Sequence, residues 1–125
     1  LNQALTTALV GQAGEAALMT YTLTYRQFAQ THAAVYELLN TVPSFHNAAL
    51  TEAGHENTNL LSKILRPMVR YDRELLIASR SLRSLMPGYI NLSQLGYFQK
   101  DVMTADESFQ AVVTTYLAQL RRSSD

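Results

Sequence analysis

Residues 18–42 read LMTYTLTYRQFAQTHAAVYELLNTV, and the spacing of the large apolar side chains in this stretch decides the fold. Leu18, Tyr21, Tyr25, Phe28, His32, Val35, Leu39 and Val42 follow one another in steps of three and four. On a helix of 3.6 residues per turn that spacing lays all eight along one stripe. A competing pattern lies inside it: Met19 to Tyr25 alternates apolar and polar residues with the period of a strand, in residue types that favour strands. The helical reading prevails because its period runs much further and its flanks are rich in Ala, Gln and Glu. Pro43 biases the residue before it away from helical dihedrals, which sets the end of the helix near Asn40–Thr41. Upstream, Gly11 and Gly14 fall on the same stripe, and each weakens a helix by up to about 1 kcal/mol relative to Ala. Either the helix begins after Gly14, or a neighbour packs closely on that bare backbone.

Two further stripes have the same period. Leu61, Ile64, Met68, Tyr71, Leu75, Ala78, Leu82 and Leu85 form the second, with Pro67 inside it. A proline there removes one backbone donor and crowds the carbonyl of Lys63, which predicts a kink near Leu65–Arg66, and Pro87-Gly88 should end the helix. Leu95, Phe98, Val102, Ala105, Phe109, Val112 and Tyr116 form the third. Thr104 and Glu107 have capping-box spacing, so a new helix can start there. The unbroken period instead favours one helix from about Asn91 to Arg121. Between the first two stripes, Ser44 to Leu50 has room for about two turns of helix, ending near Gly54. With no internal repeat and no linker, residues 1–125 read as a single all-α domain. Three long amphipathic helices and one short one bury their stripes in an antiparallel helical bundle, four-helix in its simplest form.

Composition narrows the chemistry. The chain has no cysteine, which removes disulfides, thiolate catalysis, zinc–cysteine sites and iron–sulfur clusters. Charged residues make up 16%, below the usual quarter or so, and the formal net charge is zero. The molecule as a whole therefore gives no electrostatic case for a nucleic-acid partner. No apolar run approaches the ~20 residues of a membrane span, so no insertion is expected within this segment. The first residue is Leu1, consistent with a mature form or a piece of a longer protein. The low charge and the absence of cysteine lean slightly towards an extracytoplasmic, periplasmic-type location.

Catalytic parts are missing. His32, His46 and His55 share no helix turn, and a di-metal bundle site needs two inward Glu-x-x-His motifs, which the sequence does not supply. There is no Gly-rich phosphate loop and no nucleophile elbow. The expectation is a binding protein without enzymatic activity, metal or cofactor. Two constellations stand out. Tyr21, Tyr25, His32 and Tyr71 share inward stripes, and their polar tips need partners once buried, so they are candidates to line an interior polar pocket. Arg66, Arg70, Arg73 and Arg80 lie close to one line on the second long helix, away from its apolar stripe. Arginine favours two-pronged contacts with carboxylate or phosphate, so this ridge is the candidate site for a small anionic ligand or an acidic protein partner.

Two classes of function follow, together with one motif. The first is the helical sensory domain of a membrane receptor, such as a chemoreceptor or sensor kinase, binding its ligand between helices or at a homodimer interface. This is a likeness of architecture only. The second is a protein-interaction module (an adaptor, an immunity protein or a secretion-system component) that docks an acidic partner through the arginine ridge. Arg26 and His32 also stand in Arg-x5-His spacing, which resembles, over seven residues, the active motif of the HEPN family of helical ribonucleases. That resemblance implies a small nuclease. In that family the motif usually lies late in the domain, whereas here it sits on the first long helix.

Overall fold

The computed structural model describes residues 1–41, 47–99 and 102–124, and among them there is no strand. The all-α reading is correct, and the described residues form six α-helices: α1 (Asn2–Ala8), α2 (Gly14–Thr31), α3 (Ala33–Thr41), α4 (Ala48–Leu65), α5 (Asp72–Gln94) and α6 (Ala105–Ser124). Four of them are long and two short, so the expected count of three long helices and one short is corrected. Helix α2 is the centre and contacts all five others. Its burial fits that role: Leu18 and Tyr21 face the main core, and Thr22, Arg26 and Ala29 are buried on a further side.

The helix ends show which local signals won. Gly11 and Gly14 have φ of +75° and +66°, the left-handed region that glycine enters without a Cβ penalty. They form the turn between α1 and α2, and a Cβ built on either would touch nothing within 4 Å, so close packing is not their role. At His32 the chain leaves helical dihedrals for one residue (φ −127°, ψ 53°). The bonds His32 N–H to Phe28 O (2.8 Å) and Tyr36 N–H to His32 O (2.9 Å) survive the break. That single residue rotates everything after it. Tyr36 becomes buried, while Val35, expected on the stripe, is 48% exposed. Val42 and His46 lie outside the described residues.

Helix α4 is much longer than two turns. The Asn47 side chain caps it by accepting from the backbone N–H groups of Ala49 (2.9 Å) and Leu50 (3.2 Å). Gly54 lies within α4 rather than at its end. Pro67 breaks the chain rather than kinking it: Arg66–Met68 is a short 3-10 turn, Val69 is extended, and α5 starts afresh at Asp72. Asp72 and Glu74 in its first turn oppose the positive end of the helix dipole. Pro87 and Gly88 do not end α5, which runs on to Gln94. Nor is there one helix from 91 to 121. The Thr104 hydroxyl accepts from the Glu107 N–H (3.1 Å), so the capping-box spacing marks the true start of α6. Phe109, Val113 and Leu117 of α6 are buried, while Leu95 and Val102 of the expected stripe are 65% and 93% exposed.

The main core collects Leu18 and Tyr21 from α2, Leu61 and Leu65 from α4, and Leu82 and Met86 from α5. Phe109 of α6 closes it, with the Arg26 guanidinium 5.4 Å from its ring centroid. Arg26 extends from α2 to an ion pair with Asp106 at the start of α6, so a buried stem and an exposed carboxylate tie these two helices together. Burial lowers the proton affinity of Arg26 from its ordinary value.

Candidate functional site

A groove of about 460 Å³ opens between the α1 end, α2, α3, α4 and α5. Leu1, Val35, Leu39, Leu50 and Ala53 supply apolar wall, and Tyr25, Tyr36, Asn2, Asn40, Asn57 and Arg83 supply polar groups. The size suits a small organic molecule. The break at His32 makes the groove: it turns α3 so that Tyr36 faces back towards Tyr25 of α2, the two rings meeting edge to face at 5.8 Å. Tyr21 continues the row one turn below, stacked on Tyr25 at 6.4 Å.

A hydrogen-bonded relay lies beside this row. The Tyr21 hydroxyl donates to Asn57 Oδ1 (2.8 Å), the Asn57 amide donates to Asn2 Oδ1 (3.1 Å), and the Asn2 amide donates to the Ala53 carbonyl (3.0 Å). It joins α2, α4 and α1 at one end of the groove. The Tyr36 hydroxyl is different. The Tyr25 hydroxyl and the Asn40 side chain come close enough to influence its ionisation. The oxygen itself is buried and closed to solvent.

Burial pushes the phenols of Tyr21, Tyr25 and Tyr36 above the ordinary tyrosine value, with Arg83 pulling the first two back only in part. The folded chain holds these protons where the unfolded chain, near the ordinary 10.0, releases them. Stability is therefore intact below that pH and falls as pH rises through it towards the raised values. In an alkaline titration followed at 295 nm, tyrosinate from these three of the seven tyrosines should appear only as far-UV ellipticity is lost. Full ionisation of all seven with helicity intact would contradict the buried row.

Of the four residues expected to line an interior pocket, two meet. Tyr25 lines the groove and Tyr21 stacks beneath it. His32 is exposed at the end of α2, its ring stacked on Phe28 at 4.7 Å. Tyr71 is 63% exposed just before α5. The residues that reading missed are Tyr36, Asn2, Asn40, Asn57 and Arg83. Tyr36 sits one residue away from the stripe, because the stripe's phase slips at His32.

The arginine ridge is not one helix face. Arg66 belongs to the 3-10 turn and Arg70 to the connection, while Arg73 and Arg80 are exposed on α5. Arg66 is already engaged, pairing with Asp72 at 2.5 Å and donating to the Arg70 carbonyl at 3.1 Å. The break at Pro67 is the reason: a line of side chains drawn on a continuous helix does not survive it. Arg26 and His32 form no joint site either. Arg26 is engaged with Asp106 and Phe109, and His32 with Phe28 and the Thr31 hydroxyl (2.9 Å). Among the described residues no three His, Cys, Asp or Glu side chains are grouped to hold a metal ion, and no helix is long and apolar enough to cross a membrane.

No curated protein matches the chain. A family model described as tetracyclin repressor-like, C-terminal domain, matches residues 18–116. That match covers α3, α4, α5 and most of α2, which wall the groove together with α1, and it corrects the functional expectations. A repressor's domain is not the sensory domain of a membrane receptor, and it is neither an acidic-partner adaptor nor a HEPN-like ribonuclease. A repressor works on DNA, so the expectation of no nucleic-acid partner falls, and so does the lean towards an extracytoplasmic location.

Proposed function

The chain belongs to the tetracyclin repressor-like C-terminal domain family, and on that premise we propose that it is the effector-binding and self-associating part of a transcriptional repressor. In this reading the DNA contacts are made by a separate N-terminal domain, and this domain performs no chemistry. Its task is to bind a small molecule and pass the change on.

One observation carries the effector reading: the groove of about 460 Å³, walled mostly by helices of the matched region and lined by both apolar side chains and polar groups. Effector-binding clefts are mostly apolar with a few placed polar groups, as here. The relay from Tyr21 through Asn57 to Asn2 gives the groove a mechanical connection to α1. A ligand that prefers one arrangement of these helices shifts the population towards it by its difference in affinity.

Self-association is supported by the apolar residues past the end of α5. Leu95, Tyr97 and Val102 are 65%, 73% and 93% exposed in the isolated chain, and Leu92 and Met103 are 40% and 42% exposed. Large apolar side chains exposed to this extent, where they adjoin, mark an interaction surface.

The experiment that tests the effector reading fills the groove. Ala53→Trp places a large ring in the groove that Ala53 lines. It should abolish the melting-temperature rise given by any small molecule that stabilises the native protein, with helicity and oligomeric mass unchanged. If compounds still stabilise the filled variant, the groove is not the effector site.

A further inference from the structure

We propose that the groove takes a small apolar carboxylate, a monoanion whose oxygens pair with the Arg83 guanidinium while its hydrocarbon frame covers Val35, Leu39 and Leu50. This rests on the groove being the effector site and adds the chemical class that it takes.

The polar groups of the groove are not equally available. Asn57 accepts from Tyr21 and donates to Asn2, and Asn2 donates in turn to the Ala53 carbonyl. The Asn40 amide donates to the Tyr36 carbonyl at 2.9 Å, and the Tyr36 hydroxyl oxygen is closed to solvent. These groups are occupied in holding the helices to one another. Arg83 stands apart. It lines the groove from α5, it is exposed, and it is not one of the arginines of the expected ridge. Arg26, Arg66 and Arg121 have carboxylate partners in Asp106, Asp72 and Glu15. Among the described residues Arg83 has none. Its fork of N–H donors matches the two oxygens of a carboxylate.

Charge then selects among ligands. Arg83 is the one charged side chain among the described residues of the lining, and none of them is acidic. A cationic amine would meet a like charge with nothing to balance it, and a dianion would bring a second charge with no second cation to meet it. The influence of Arg83 extends to the aromatic row: it draws the phenols of Tyr21 and Tyr25 part of the way back towards their ordinary value. A ligand anion beside Tyr25 lies in that same favourable field. The frame follows from the opposite wall. Val35 is 48% exposed, and Leu39 and Leu50 are half-buried, so an apolar body gains by covering them.

Three probes on one frame separate charge from shape. Diphenylacetate is the anion, diphenylacetamide its neutral isostere, and 2,2-diphenylethylamine the cation. Binding is measured by calorimetry on the wild-type protein and on Arg83→Gln, Arg83→Lys and Ala53→Trp, with helicity checked by circular dichroism. The wild type should bind the carboxylate about tenfold more tightly than the amide, and the amine most weakly. Raising the salt from about 0.05 M to about 0.5 M should weaken the carboxylate and leave the amide nearly unchanged. Arg83→Gln should bring the carboxylate down to the amide without altering the amide's affinity, which also shows that the groove is intact. Arg83→Lys should keep part of the preference. A carboxylate and amide that bind alike, a preference that survives Arg83→Gln, or an amine that binds best overturns the inference. If Ala53→Trp abolishes binding in those cases, the effector reading stands and only the ligand class is wrong. If binding survives Ala53→Trp, both fall. Failure of the wild type to bind diphenylacetate also overturns the carboxylate class, and the melting experiment on Ala53→Trp then decides the effector reading by itself.

Discussion

Replacing Phe109 by alanine should lower the unfolding free energy by about 3–5 kcal/mol, the usual range for emptying a buried aromatic site. Phe109 is 0% exposed, and its ring meets that of Tyr89 at 5.3 Å and the Arg26 guanidinium at 5.4 Å. Three losses coincide. The transfer of the ring from water is forfeited, a cavity remains because α2, α5 and α6 close it only in part, and Arg26 loses the face on which its charge rests. The cation–π contribution is about 0.5–2 kcal/mol and places the effect in the upper part of the range. Arg26 is 8% exposed and its partner Asp106 is well solvated, so the ion pair cannot compensate for the missing ring. Urea unfolding measures the loss as a fall in midpoint at constant slope. Val10→Ala, at a site 77% exposed, should stay within about 0.5 kcal/mol and serves as the reference. A loss below about 2 kcal/mol at Phe109 would mean that the α2–α6 contact is not the closed core described here.

The fold class was legible because three-four spacing survives local interruption. Leu18, Tyr21, Leu61, Ala78 and Leu82 all face inward as the period requires. What was not legible is how each interruption resolves. Pro67 ends its helix, whereas Pro87, with the same missing donor, sits inside α5. The period around the two prolines is equally regular, so it cannot separate them. Burial separates them: Met86 and Ile90 are 1% and 2% exposed on either side of Pro87, and keeping both in the core holds the helix together. At His32 one non-helical residue shifts the register, and Tyr36 replaces Val35 as the inward residue. Such a slip has no compositional signature. The groove was illegible for a further reason. Asn2 and Asn57 meet across a separation of 55 residues. Periodicity assigns a residue to a face, but it does not say which face lies opposite. Tyr21 and Tyr25 were recoverable because they share a stripe. Arg83 and the asparagines, off every stripe, were not.

Helix α5 gives the second large effect, with the opposite sign. Pro87→Ala combined with Gly88→Ala should stabilise the protein by about 2–3 kcal/mol. In a helix interior proline is about 3 kcal/mol and glycine about 1 kcal/mol less favourable than alanine. The proline at 87 has no N–H for the Arg83 carbonyl, and its ring crowds that oxygen. The gain is less than the sum, because proline also restricts the unfolded chain and alanine gives that freedom back. Space does not limit the change at Gly88, where a Cβ would meet nothing within 4 Å. Thermal unfolding should register a rise of roughly 10 °C. A fall in stability would show that the half-buried proline ring packs too well to be replaced. The site has a stake in the outcome, because Arg83, one turn before Pro87, lines the groove. If the doubly substituted protein gains stability and binds its effector as before, the proline is a tolerated defect in α5. If it gains stability and binds more weakly, the missing hydrogen bond at Arg83 is part of how α5 accommodates the ligand, and local order in that helix has been given up for function.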